Sequence, residues 1–199
     1  FGYGAIGNVG KTAQRMQGPL FEQGQNPISD FIPVSRIADM LLNPGGPYNF
    51  NGEKRIYPDI KLVYWCGGNP FHHHQDLNRL NNAWQYPETI IVNEPWWTAT
   101  AQRADIVFPA TTQFERSDIG WAKGDPYIFY MPKMIPPVGL AKNDYDIFTA
   151  LSKKLNCEEK FTENQTSEEW IEGIYDKFHK QSKSQGINVA DLKTLKEKN

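Results

Sequence analysis

Short apolar runs separated by polar punctuation dominate the middle of the chain. Leu62-Val63-Tyr64-Trp65 is brief and β-prone, the pattern of a buried strand. It breaks at Gly67-Gly68-Asn69-Pro70, a turn that tolerates positive φ and lets backbone amides approach a ligand closely. A helical period follows, with Asp76 as N-cap and Leu77, Leu80, Asn81 and Trp84 on one face. Thr89-Ile90-Ile91-Val92 reads as a second buried strand ending at Asn93-Glu94, and Asp105-Ile106-Val107-Phe108-Pro109 as a third whose proline fixes the exit. Strand, glycine turn, helix, strand and acid is the order of a nucleotide-binding βαβ unit, in which the carboxylate accepts from ribose hydroxyls. The pattern predicts an α/β fold: a three-layer, Rossmann-like parallel sheet with helices on both faces and a ligand at the carboxyl ends of its strands. The turn lacks the G-x-G-x-x-G spacing of the dinucleotide fingerprint, which counts against a nicotinamide dehydrogenase.

The flanks are less regular. Residues 1–34 are rich in Gly, Asn, Gln and Pro and predict an irregular lead-in. Ser35 is placed to cap a short helix through Ile37, Met40 and Leu41, closed by Asn43-Pro44-Gly45-Gly46. A loop or small hairpin with Asn51-Gly52 at its tip follows. Thr98 suits the N-cap of a short helix over Ala101–Ala104, and Ala110 to Asp118 reads as a polar loop at a strand end. Residues 126–139 predict an extended edge segment, and Asp144 a cap for a helix carrying Ile147, Phe148, Leu151 and Leu155. Thr166-Ser167-Glu168-Glu169 is a capping box ahead of Trp170, Ile174 and Phe178. From Lys180 the lysine-rich chain predicts a frayed helix or tail. The organisation expected is a lead-in over 1–59 with one short helix, an α/β core over 60–155, and a C-terminal helical segment with a polar tail over 156–199.

A chain of 199 residues can bury a real core, and its net charge of −2 gives no electrostatic case for nucleic acid or an acidic membrane. No apolar segment approaches the roughly 20 residues a membrane span needs. The opening Phe1-Gly2-Tyr3-Gly4 has neither a leading Met nor the order of a signal peptide, so the chain is expected to be a piece of something longer. Cys66 and Cys157 form no C-x-x-C pair and indicate neither a disulfide framework nor a zinc knuckle.

His72-His73-His74 invites a metal, but adjacent loop residues diverge; the plainer reading has one histidine bonding a ligand or backbone group and the others facing solvent. No serine or cysteine has an activated-nucleophile context. Glu94 and Asp146 each stand where a carboxylate can accept two parallel hydrogen bonds from a guanine edge or a ribose. Asp146 equally suits a first-turn acid favoured by the helix dipole. Arg116 offers a planar fork to a phosphate, or pairs with Glu115 or Asp118.

YWCGGNPFHHHQDLNRL, ETIIVNEPWWTATAQRADIVFPATTQFERSDI and KNDYDIFTALSKKL closely resemble the molybdopterin oxidoreductases of the dimethyl sulfoxide reductase family. The nearest branch is that of the trimethylamine N-oxide, dimethyl sulfoxide and biotin sulfoxide reductases. The resemblance runs from Phe1 to about Leu155. It implies an excised α/β domain that grips one guanine dinucleotide of a molybdenum bis(molybdopterin guanine dinucleotide) cofactor. By the resemblance, Gly67, Asn69 and His73 lie against the cofactor, Asn93 and Glu94 meet the nucleoside, Arg116 a phosphate or neighbouring group, and Asp146 the guanine. It implies no catalytic residue and no molybdenum ligand in this segment, because the serine ligand and the domain completing the cofactor's second face belong to other parts of such enzymes. The expected partners are those remaining domains and an electron donor such as a cytochrome or reductase. The expected location is the periplasm, with the cytoplasm as alternative. The chain alone is expected to be inactive; the alternative function is a stand-alone nucleotide-binding module.

Overall fold

The computed structural model describes residues 18–21, 24–25, 27–28, 30–122 and 127–197. Of the expected lead-in, residues 1–17 lie outside the described residues, as does the first residue of the 126–139 segment. The chain divides into two compact units: Gln25–Ala110, and a second made of Thr111–Asn199 with the segment up to Gly24.

In the first unit a 3-10 turn, Val34–Arg36, leads into α1 (Ile37–Leu42). Ser35 does not cap it; Pro33 stands at the N-cap of the 3-10 turn and sets the entry. Asn43 ends α1, and the hairpin β1 (Pro47–Phe50) and β2 (Glu53–Ile56) follows. At its tip Asn51 and Gly52 have φ of 49° and 82°, the left-handed pair that a tight two-residue hairpin turn requires.

The three apolar runs form a parallel sheet in the order β3 (Leu62–Cys66), β4 (Thr89–Glu94), β5 (Ile106–Pro109). Between β3 and β4 lie α2 (Pro70–His73) and α3 (Leu77–Ala83). Asp76 caps α3 as its sequence signals, its carboxylate accepting from the Arg79 N–H at 3.0 Å. The register sets Val63 beside Ile90 and Trp65 beside Val92, so these four share one face. That face packs on Leu41, Phe71, Leu80 and Trp84, forming the core of the unit.

Burial departs from the expectation of three buried strands. Among the described residues β4 is central and has no exposed position, whereas β3 and β5 are the edges, and Leu62, Ile106 and Phe108 on the opposite face are 52%, 43% and 38% exposed. An apolar run reports β-propensity but not whether its strand is central or lateral. The described residues of this unit pack as a core on one sheet face.

In the second unit β6 (Asp118–Trp121) pairs antiparallel with β7 (Ile128–Met131). β7 is the expected edge segment; β6 arises where the polar loop ends. Four helices follow: α4 (Asp144–Lys154), α5 (Glu158–Thr162), α6 (Ser167–Ser184) and α7 (Leu192–Glu197). Asn143, not Asp144, is the N-cap of α4, and its side-chain oxygen accepts instead from the Thr111 hydroxyl at 2.8 Å. Leu151 and Leu155 remain 38% and 65% exposed. Of the expected face, Ile147 is buried and Phe148 half-buried, and the rings of Tyr145 and Phe148 lie 5.8 and 6.5 Å from that of Phe161 in α5.

The capping box at α6 forms in both directions between Thr166 and Glu169. Its buried stripe, Ile171, Tyr175, Phe178 and Ser182, runs past Lys180, so the frayed tail expected there is instead ordered helix. The Tyr175 hydroxyl donates to the Ala190 carbonyl at 2.9 Å and ties α6 to the segment leading into α7. Among the described residues no helix is long and apolar enough to cross a membrane.

Candidate functional site

The carboxyl end of the parallel sheet is shaped by the glycine turn. Gly67 and Gly68 both have φ of 73°, a conformation that L side chains rarely adopt. A methyl group added at Gly67 would meet no atom within 4 Å, so the glycine is required by the backbone and the space above the turn is open. Trp65 Nε1 donates to the Gly67 carbonyl at 2.8 Å. The Asn69 side-chain oxygen accepts from the Thr100 hydroxyl at 2.6 Å, and that same hydroxyl accepts from the Phe71 N–H at 3.4 Å. Thr100 is fully buried, so one hydroxyl fixes the turn to the segment after β4. Sequence reasoning missed it, because a single threonine within Thr98-Ala99-Thr100 carries no signal of a contact 31 residues away.

At the end of β4, Asn93 is only 3% exposed and its Oδ1 accepts from the Tyr64 hydroxyl at 3.0 Å. Glu94 is half-buried, and its Oε1 accepts from the Trp96 N–H at 3.3 Å. Asn69 and Asn93 therefore spend a side-chain oxygen on the frame, while the Gly67 backbone and the Glu94 carboxylate border the open end. Of the three histidines, His74 is buried with its ring nitrogens 2.8 and 3.0 Å from the Gln75 and Val34 carbonyls, and His72 and His73 are exposed. His73 Nε2 stands 4.0 Å from where a Gly68 methyl would lie, on the turn itself. Among the described residues no group of three His, Cys, Asp or Glu side chains is arranged to hold a metal ion.

Arg116 and Asp146 belong to the second unit, where both line a cleft of about 760 Å³. The loop that carries Arg116 is locked by its neighbour. Glu115, 5% exposed, accepts from the Thr112 N–H at 2.7 Å and hydroxyl at 2.8 Å and from the Val138 N–H at 2.6 Å. The backbone N–H of Thr112, then that of Val138, hold its carboxyl below the usual carboxylate range. Arg116 reaches Asp118 Oδ2 through Nε and Nη2, both at 3.3 Å, and donates through Nη1 to the Thr111 carbonyl at 3.1 Å. Of the pairings the sequence left open, the one with Asp118 is made. Asp146 lies in the first turn of α4, exposed on the cleft wall.

A carboxyl ionised more readily when folded stabilises the loop fully above its ordinary value of about 4.3 and loses that contribution as pH falls through the depressed value. Hydrogen-exchange protection of the Thr112 and Val138 amides is expected to persist at neutral pH and collapse in acid. Glu115→Gln, which turns one acceptor into a donor, is expected to lower that protection about tenfold at neutral pH. Unchanged protection in the variant would show that the loop is held by other contacts.

The molybdopterin oxidoreductase profile matches residues 14–154, more than half of the chain. The chain belongs to the molybdopterin oxidoreductase family. It is 54% identical over 176 residues to biotin sulfoxide reductase from Cereibacter sphaeroides, covering 88% of this chain and 24% of that protein. It is 44% identical over 191 residues to dimethyl sulfoxide/trimethylamine N-oxide reductase of the same organism, covering 94% of this chain and 23% of the relative. To trimethylamine-N-oxide reductase from Haemophilus influenzae (strain ATCC 51907 / DSM 11121 / KW20 / Rd) it is 52% identical over 147 residues, covering 72% and 18%. The chain thus spans about a quarter or less of the length of these molybdopterin oxidoreductase relatives. The family match contains the glycine turn, the end of β4 and the first turn of α4, whereas α6 and α7 lie beyond it.

Proposed function

We propose that this chain is the cofactor-binding part of a molybdenum-dependent reductase that removes oxygen from an S-oxide or N-oxide, with biotin sulfoxide, trimethylamine N-oxide and dimethyl sulfoxide as the substrate class. The observation that carries the reading is the 54% identity to a biotin sulfoxide reductase over 88% of this chain. The cofactor in this reading is molybdenum bis(molybdopterin guanine dinucleotide).

The residues present fit such a group. A dinucleotide needs backbone it can approach, acceptors for hydroxyls and base N–H groups, and cations for its phosphates. The first unit offers an open left-handed glycine turn next to Glu94. The second offers Asp146 and Arg116 on one cleft. Gly67, His73 and Glu94 would contact the group directly, while Asn69 and Asn93, bonded to Thr100 and Tyr64, would hold the turn and strand end in place. Arg116, half-neutralised by Asp118, would meet a phosphate or its neighbour, and Asp146 the guanine.

Oxygen-atom transfer is the chemistry the bound cofactor supplies; the chain contributes binding and orientation. The chain alone is inactive in this reading, since no residue of it is assigned to molybdenum or to substrate. The exposed sheet face bearing Leu62, Ile106 and Phe108 is covered by another part of the full-length protein, completing the three-layer, Rossmann-like arrangement with helices on both sides. The partners are those other domains and an electron donor such as a cytochrome or reductase, and the location is the periplasm.

The full-length protein is expected to contain molybdenum, to release GMP on acid hydrolysis, and to oxidise a reduced viologen dye when given at least one of the three oxides. A preparation without molybdenum, or without turnover of any of them, would refute the proposal.

A further inference from the structure

Three exposed asparagines hold left-handed backbone: Asn51, Asn156 and Asn164, with φ of 49°, 56° and 58°. They differ in the amide that follows each. The Cys157 N–H donates to the Ser152 carbonyl at 2.9 Å, and the Gln165 N–H to the Thr162 carbonyl at 3.0 Å. Among the described residues the Gly52 N–H makes no hydrogen bond, and neither does the Asn51 side chain. Gly52 has no side chain to shield its nitrogen, and a methyl built there would meet no atom within 4 Å. Asn51-Gly52 is also the one Asn-Gly step in the sequence. A side-chain amide therefore lies beside an unbonded, unhindered and water-exposed backbone nitrogen.

We propose that Asn51, at the tip of the β1–β2 hairpin, is a site of spontaneous deamidation, and that the hairpin keeps its structure in one product and loses it in the other. The Gly52 nitrogen, its proton taken by hydroxide, attacks Asn51 Cγ. The N–Cγ bond forms, the Cγ–Nδ2 bond breaks, and Nδ2 takes a proton from water and leaves as ammonia. Water then opens the cyclic imide. Cleavage between Gly52 N and Cγ gives aspartate, whereas cleavage between Gly52 N and the Asn51 carbonyl carbon gives isoaspartate, with the main chain rerouted through the side chain. Overall, water and an amide become a carboxylate and ammonia, and nothing is oxidised or reduced.

The two products differ in what the turn can hold. Aspartate tolerates left-handed backbone, and Asp-Gly suits the same two-residue turn as Asn-Gly, so the strand register stands. Isoaspartate puts an extra methylene into the main chain of a loop whose length sets Phe50 opposite Glu53 and Tyr48 opposite Arg55. Tyr48 depends on that register: it is 6% exposed, stacked on Tyr57 at 4.4 Å, and its hydroxyl donates to the Phe31 carbonyl at 3.0 Å.

Incubation of the full-length protein at mildly alkaline pH, with peptide mapping by mass spectrometry, reads the rate at each asparagine. In the folded protein Asn51 is expected to convert about tenfold or more faster than Asn156 and Asn164, since its following nitrogen is free and unshielded. In urea all three following amides are released, so the rates at Asn156 and Asn164 should rise while that at Asn51 changes little. Equal rates in the folded protein, or an Asn51 that reacts only after unfolding, would overturn the site. Asn51→Asp supplies the first product directly and is expected to keep hydrogen-exchange protection over residues 47–56, whereas the isoaspartate form, separated by chromatography, should lose it. Equal protection in the two would overturn the difference between the products.

Discussion

Trp84→Ala is expected to destabilise the sheet-bearing unit by about 3–5 kcal/mol, the range for deleting a large buried aromatic side chain. Trp84 is 2% exposed and meets Trp65 of β3 and Phe71 of α2 edge-on, at 5.9 and 5.3 Å between ring centres. It therefore joins the sheet to the residue that follows the glycine turn. Its Nε1–H is buried without a partner among the described residues. Trp84→Phe keeps an aromatic ring and removes that unanswered donor, so it should cost much less than the alanine variant. Urea unfolding followed by circular dichroism separates the two. Equal midpoints for wild type and Trp84→Ala would mean that the unit is not built around this ring.

On the proposed assignment of Asp146 to the guanine, Asp146→Ala in the full-length protein should lower cofactor occupancy about tenfold or more, since a charged acceptor would be lost from the base. Its effect on folding should be small, because the side chain is exposed and the remaining loss is a first-turn interaction with the helix dipole. Molybdenum content per protein and GMP released on hydrolysis are the measurements. Unchanged values would remove Asp146 from the site and leave it as a first-turn acid.

What could be read from the sequence was what short-range chemistry decides. The runs at Leu62, Thr89 and Ile106 became strands, Asp76 became a cap, and Thr166 with Glu169 became a reciprocal one, because each depends on residues a few positions apart. The lateral place of β3 and β5, the exposure of Leu151 and Leu155 on α4, and the Asn69–Thr100 and Glu115–Val138 bonds depend on partners brought in by tertiary structure. β6 escaped notice because Asp118-Ile119-Gly120-Trp121 has no clean alternation, and its strand state comes from pairing with β7. The same division holds for the candidate site. The glycine turn and the acid after β4 were legible as a pattern, whereas the Thr100 hydroxyl that anchors the turn was not, since nothing in its spacing relates it to Asn69.

Among the described residues the sheet keeps Leu62, Ile106 and Phe108 open to water on one side, which bears on how the chain behaves in solution. An oily face favours self-contact. At high concentration the isolated polypeptide would thus tend toward face-to-face assembly, and dilute, cold handling would keep its molecules apart.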